Sequence, residues 1–594
     1  VLLLLLACTP ETTPLPRWEI PAGATYALHD PATSLDVWPD DAHTVPDPTT
    51  ATGLRVRLRP GARAATQADV GDTILIADAL EELDGFGTSG AVILRFSAPI
   101  DPESFAEATR WISLADGASV PYTTAWTDDG ATAILEPWFV LEERSRYAVL
   151  VDDGLRDLGG EPVWPSPWLH ALVEPPQRAA WTAAADVAGL PLDRLVAGTV
   201  YTTQSLYAED DAAAALLRAE VPAWRPGSCD AGVPRRCELT LQVTDLLGED
   251  HRLNPGEALA AVRRYELPVS VWLPAGPGPF PVVLHGHGLS GDRGEAHTPA
   301  RQLHDLGFAV VAIDAPMHGD HPTATTDADI LWVLQLFGID PSSGTFDPRQ
   351  LRDQLRRAAW DKLQLAAAVR QDPDVDGDGA PDLDGDFIAW TGHSLGGLLG
   401  PQLLALDPDL RGAVLSVPGG RMSGIVHRSQ TFAPLIALMA PPGTSQGMVD
   451  RFFPVLQAAI ERGDPATWAG RLLPAGQDVL VTQVLDDTII PNASTRHLAR
   501  ALSVEHAGPP PAAGGRAGDR RRSADPRQRR RRHRGAVAVR HRPPRRRAGG
   551  CGALQRLRRR RAHGAAPRVP RGPARGPGGG HRPGGAVIVC GAGA

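Results

Sequence analysis

Apolar residues in the second half of the chain fall into short runs separated by stretches of helical spacing. The runs are Phe280–Leu284, Phe308–Asp314, Phe387–Thr391, Ala413–Val417 and Asp478–Leu485, each closed by turn or charged residues. Between and after them, Thr298–Leu306, Leu398–Leu406 and about Asn492 to Leu502 place apolar residues at three- and four-residue intervals. Unbroken apolar runs alternating with helices predict strands buried on both faces, joined by right-handed parallel crossovers. The first half has a different rhythm. Ala91–Phe96, Ala133–Leu135 and Tyr147–Val151 read as short strands, with Asp128-Asp129-Gly130 and Gly159-Gly160 as turns. That pattern predicts a β-sandwich. With 594 residues the chain has room for several domains. The expected order is a leader remnant and tether over 1–20, an N-terminal region over 21–84, a sandwich over 85–175, a connector over 176–265, an α/β domain over 266–508 and a separate tail over 509–594.

The sharpest chemical signal lies where the third run of the second half ends. Phe387-Ile388-Ala389-Trp390-Thr391 passes directly into Gly392-His393-Ser394-Leu395-Gly396-Gly397 and then into the helical stretch. A strand, Gly-x-Ser-x-Gly and a helix in succession make a nucleophile elbow, with Ser394 exposed on a tight turn and the glycines leaving room for the backbone. Upstream, Phe280–Leu284 ends in His285-Gly286-His287-Gly288. This turn can offer the His287 N–H to a developing oxyanion, with the Leu395 N–H as its partner. The two imidazoles of the turn read as structural. After the run Asp478–Leu485 come Asp486-Asp487-Thr488-Ile489-Ile490-Pro491. A carboxylate at that place can orient a histidine and stabilise its imidazolium.

The set His-Gly-His-Gly, Asp314-Ala315-Pro316-Met317-His318-Gly319, Gly-His-Ser-Leu-Gly-Gly and Asp-Asp-Thr-Ile-Ile-Pro resembles α/β-hydrolases over residues 266–505. Within them it is similar to surface lipoprotein lipases of the bacterial virulence-factor lipase type. Trp38-Pro39-Asp40-Asp41 and Thr52-Gly53-Leu54-Arg55 resemble the N-terminal region of that family. Phe96-Ser97-Ala98-Pro99-Ile100-Asp101 and Tyr147 to Gly160 resemble bacterial Ig-like domains. The resemblance implies hydrolysis of acyl esters through a serine acyl-enzyme, with a hydrophobic ester or lipid as substrate and no redox cofactor. It favours Asp487 over Asp486 as the triad acid. It also requires a histidine after that acid. His497 sits too close behind Asp487, inside a helix, and His506 is little better; His533, His541, His563 and His581 lie in the tail.

Charge sets that tail apart. Residues 509–594 hold 24 Arg, no Lys and two acids, Asp519 and Asp525, a net +22; the whole chain is −10, so the preceding residues carry −32. The tail reads as disordered or, more sharply, as GC-rich coding sequence translated out of frame, which yields Arg, Gly, Pro and Ala. On that reading the chain as written lacks its general base. Nucleic-acid binding would rest on the tail alone, and the acidic body repels phosphate.

At the other end, Leu5-Leu6-Ala7-Cys8 resembles a lipobox, with Cys8 the lipidated residue and Thr9–Pro16 a tether. No basic segment precedes it, so the start is expected to be truncated. The expected location is an exported bacterial lipoprotein at the outer membrane or cell surface, held by lipid. Cys229 and Cys237 bracket a short polar loop and can form a disulfide in an oxidising compartment.

Ahead of the elbow strand, Asp374, Asp376, Asp378, Gly379 and Asp382 match the start of a calcium loop, but Gly385 stands where a bidentate Glu would close it. A structural Ca2+ and a solvated acidic turn both fit. Residues 325–350 and 419–470 are apolar insertions that fit either ordinary helix core or a cap lining an acyl-chain site. Outside ester hydrolysis, the sequence leaves open a serine peptidase and a surface-binding lipoprotein with an impaired hydrolase domain.

Overall fold

The computed structural model describes residues 19–506 except 172–174, 221, 254–258, 326–327 and 473–475, together with the backbone of 537–540 and 586–591. Cys8 therefore lies outside the described residues, as does the remainder of the tail. Among the described residues no helix is long and apolar enough to cross a membrane.

Two antiparallel sheets make the N-terminal module. One contains Ala27–Leu28, Val37–Trp38, Val92–Phe96, Thr132–Pro137 and Tyr122–Trp126; the other contains Leu195–Thr202, Arg146–Asp152 and Thr109–Ser113. The central strand of the second sheet shows why its sequence lacks polar alternation. Tyr147, Val149 and Val151 join the core shared with the first sheet, while Ala148 and Leu150 pack on Trp181 and Ala184 of the helix Pro175–Ala188. Both faces are covered, so every position from Tyr147 to Val151 is apolar. The sandwich is wider than expected. It takes edge strands from the region before residue 84 and its last strand from 195–202, so the stretch 176–265 is not a connector.

The rest of that stretch belongs to the large sheet. Its strand order is Ala223–Cys229, Arg235–Asp245, Arg263–Leu273, Ala309–Ile313, Phe280–Gly286, Leu383–His393, Gly412–Ser416, Asp478–Val484, Ala586–Gly591 and Glu505–His506. The strands from Ala309–Ile313 to Ala586–Gly591 run parallel in that order. Arg263–Leu273 is antiparallel to both of its neighbours. This is the α/β architecture expected for 266–508, begun some forty residues earlier by the edge strand Ala223–Cys229 and by Arg235–Asp245, which alternates buried and half-buried residues beside it. The backbone of Ala586–Gly591 occupies the place beside Asp478–Val484. Ala586-Val587-Ile588-Val589-Cys590 is a β-prone run inside the arginine-rich tail, a signal that the composition of the surrounding residues hid.

The two modules share one hydrophobic core. It runs from Ile93, Phe96 and Trp111 through Leu351 and Leu355 to Leu395, Met422 and Leu456. Polar contacts pin the junction: both Glu461 carboxylate oxygens accept hydrogen bonds from Thr88 and Ser89, and the Gln204 amide donates to the Ala458 carbonyl at 2.9 Å.

Candidate active site

Ser394 stands between the strand Leu383–His393 and the helix Leu395–Leu406, half-buried, with φ 50° and ψ −108°. A non-glycine residue held there stores about 1–3 kcal/mol of strain, retained where the surrounding fold enforces it. The enforcement is local. A Cβ on Gly392 would lie 2.1 Å from the Gly396 carbonyl oxygen, and one on Gly396 would lie 2.1 Å from that of Gly286. Only hydrogen fits at either position, so the motif's glycines are steric requirements. Trp390 packs beneath the turn, its indole N–H reaching the Gly396 carbonyl at 3.2 Å.

The N–H groups around Ser394 divide into satisfied and unsatisfied ones. Gly396 donates to the His287 carbonyl at 2.9 Å, and Gly288 donates to the Glu295 carboxylate at 2.9 Å. Leu395 opens the helix and has no intrahelical acceptor. Among the described residues neither the Leu395 nor the His287 N–H has a partner. Those two groups are therefore open to an acceptor. Glu295, absent from the sequence reading, helps select them; its one visible signal is a lone carboxylate seven residues past the glycine it binds.

The His287 ring is fixed in one neutral form. Nε2 accepts the Ala315 N–H at 2.8 Å, so Nδ1 carries the proton and donates to the Gly288 carbonyl at 2.8 Å. Burial, reinforced by His318 nearby, holds its pKa well below the usual histidine range. The ring thus braces the turn after the strand Phe280–Gly286 against the turn after Ala309–Ile313. His285 is also kept neutral, its pKa pushed down to about 4 by burial and by His393. Beneath this turn lies Lys362, the single lysine of the chain, fully buried; burial lowers its pKa to about 8 against the pull of Asp361 and Asp314.

Asp487 follows the strand Asp478–Val484, two strands from the elbow. Its Oδ1 accepts the Ile489 and Ile490 N–H groups at 2.8 and 3.0 Å, which fixes the carboxylate and leaves Oδ2 without a partner among the described residues. Asp486 instead takes φ 58° and donates its N–H to Asn492. Two interstrand spacings, roughly 10 Å, leave room for one imidazole between Ser394 and Asp487. Among the described residues no histidine bonds to either. His497 is buried in its helix, its pKa driven well below the usual range by burial and by Arg421. His427 pairs with Asp450 at 2.9 Å and stacks on Phe453.

At the far end of the elbow strand, Asp374, Asp376 and Asp382 can bring one carboxylate oxygen each within 4.8 Å of one another. Asp378 does not join them; its carboxylate accepts the Ala380 N–H at 2.8 Å, because the glycine turn points it along its own loop. Arg235 already pairs with Asp376. Asp382 accepts the Val375 and Asp376 N–H groups and is held above the usual carboxylate range by burial. Cys229 and Cys237 are disulfide-bonded across adjacent strands, with Cα atoms 4.0 Å apart, and pack against this loop.

No family model matches the chain, and no curated protein matches it. Solved structures with a partial likeness include acetyl xylan esterase 1 from a Thermoanaerobacterium species, at 20% identity and TM-score 0.35 over 49% of this chain and 82% of that one. An acetyl xylan esterase from a Paenibacillus species gives 20% identity and TM-score 0.34 over 50% and 84%. A carbohydrate esterase family 15 glucuronoyl esterase from Caldicellulosiruptor kristjansonii gives 14% identity and TM-score 0.28 over 47% and 68%.

Proposed function

We propose that the chain is a serine carboxylic-ester hydrolase acting on hydrophobic acyl esters, a lipase or esterase of the type its motifs resemble. The observation that carries the reading is Ser394 held at φ 50° beside two N–H groups, those of Leu395 and His287, that have no partner among the described residues. Ser394 Oγ attacks the ester carbonyl carbon as its proton passes to a base. The carbonyl oxygen becomes an oxyanion facing the two N–H donors. Collapse expels the alcohol, protonated by the same base, and leaves an acyl-enzyme that water hydrolyses by the reverse proton path. Asp487 orients the base, a histidine outside the described residues. Lipidation of Cys8 and export to the cell surface complete the proposal.

That no histidine among the described residues bonds to Ser394 or Asp487 also supports a second reading, a surface-binding lipoprotein with an impaired hydrolase domain. Resequencing the gene across codons 500–594, then assaying the verified product on nitrophenyl esters, lysophospholipids and peptide anilides, separates these readings. Ser394-dependent ester turnover without anilide cleavage supports the hydrolase. Anilide cleavage supports a peptidase, and a verified arginine-rich frame with no turnover supports the binding protein.

A further inference from the structure

The cap insertions and the N-terminal module enclose a cavity of ≈ 190 Å³. On the cap side it is lined by Met422, Met439 and Met448, and on the N-terminal side by Val70, Ile74 and Ile93. The chain has four methionines, and three of them meet at this one place. Methionine has a flexible, polarisable side chain that fills irregular apolar space and accommodates ligands of varied shape. A core selected only for tight packing uses branched residues with fewer rotamers. The cover over the cavity is thin: the helix Ala433–Met439 has no fully buried residue, and its Leu438 is 81% exposed. Charged side chains at the lining are Asp36, Asp69, Arg95 and Arg451, which balance to zero, and Arg95 is paired with Asp36. A neutral chain fits this lining better than an ionic head group. Lining residues such as Ile93, Met422 and Leu456 also belong to the same packed hydrophobic cluster as Leu395 and Leu398, which follow Ser394, and Ile490, whose N–H binds Asp487.

We infer that this cavity is a hydrocarbon-chain site built jointly by the cap and the N-terminal module, and that the module selects the acyl chain of the substrate. The link to turnover rests on the ester-hydrolase reading; the binding site itself does not. Full-length chain carrying Ser394→Ala is titrated with a pyrene-labelled long-chain alcohol, so binding is read without catalysis. Val70→Trp and Met439→Trp then fill the cavity from its two sides, both at half-buried positions that tolerate added volume. Stoichiometric binding of one probe per chain is expected, weakened at least about tenfold by each substitution. In chains retaining Ser394, both substitutions are expected to depress long-chain nitrophenyl ester turnover while sparing the acetyl ester. Absence of binding, or binding untouched by both substitutions, overturns the site. Binding weakened by Met439→Trp alone overturns the module's share in it. Binding with both effects but no ester turnover upholds the site and removes the hydrolase reading instead.

Discussion

The elbow and the junction between modules are both closely determined, yet they are built at opposite ranges. At the elbow, one run of chain, Phe387 to Gly397, supplies the strand, the strained serine, the glycines that permit it and the donor N–H. At the junction, the Glu461 carboxylate accepts the Ser89 N–H and hydroxyl at 2.6 and 2.5 Å across 372 positions of sequence. A local device is enforced by sterics that travel with the motif. A long-range device exists only after two modules have docked, so its residues carry no mark of it in their neighbours. The elbow should therefore fail through its chemistry, and the junction through stability.

The largest effect is expected from Gly396→Ala. Its Cβ would lie 2.1 Å from backbone, where nothing flexible can yield. Ester turnover should fall by about 10³-fold or more, through loss of the oriented nucleophile, with a fall in melting temperature as the turn is forced apart. Full activity in this variant would mean that the elbow is not built as described. Next is His287→Ala, which removes the ring bridging Ala315 and Gly288. A loss of about 10²–10³ in kcat with KM nearly unchanged is expected, the signature of a misplaced oxyanion donor. A change confined to KM would break the assignment.

For the junction, Glu461→Gln sets an amide NH2 against the N–H donors of Thr88 or Ser89. It should destabilise the fold by about 1–3 kcal/mol in denaturant melts, with little change in kcat of the folded fraction. The pH dependence sharpens the contrast. Burial raises the Glu461 pKa from 4.5 to about 7. A raised carboxyl pKa means that the folded state binds the extra proton. The stability this contributes is fully present below about pH 4.5 and is lost as pH rises through about 7. The difference between the wild-type chain and Glu461→Gln should shrink over that interval, and a pH-independent difference would contradict the burial argument.

Legibility followed the same division. Ser394, the His287 turn, Asp487 and the parallel run of strands stood out because each is fixed by spacing within a few residues. The strand 195–202, buried throughout, passed for connector because its partners and not its period make it a strand, whereas 235–245 carries a plain alternation of Cys237, Leu239, Leu241 and Val243 with polar residues that went unused. The helix Pro348–Val369 was also silent: its Arg352, Asp353, Arg356 and Arg357 look like a solvated face, yet all are buried in ion pairs with one another and with Asp210 and Asp245. Of the methionine-lined cavity only the cap wall was legible, as the apolar insertion 419–470; the N-terminal wall lies far away in sequence and carried no sign of it. Asp378 shows the converse: the calcium-loop spacing was visible, but the turn directs that carboxylate away from the other three. The smallest effect is expected there. Ca2+ should raise the melting temperature by a few degrees through the three converging carboxylates and leave turnover per folded molecule unchanged. An unaltered melting temperature in Ca2+ and in chelator would make the loop a solvated turn.

The most direct test of the central claim is covalent. Protein from a gene verified across codons 500–594 is incubated with a fluorophosphonate, digested and read by mass spectrometry. A single adduct on the peptide carrying Ser394, absent in Ser394→Ala and slowed by competing long-chain ester, is the expected result. A folded, verified chain that carries a tail histidine but shows no adduct at Ser394 would contradict the assignment of Ser394 as nucleophile.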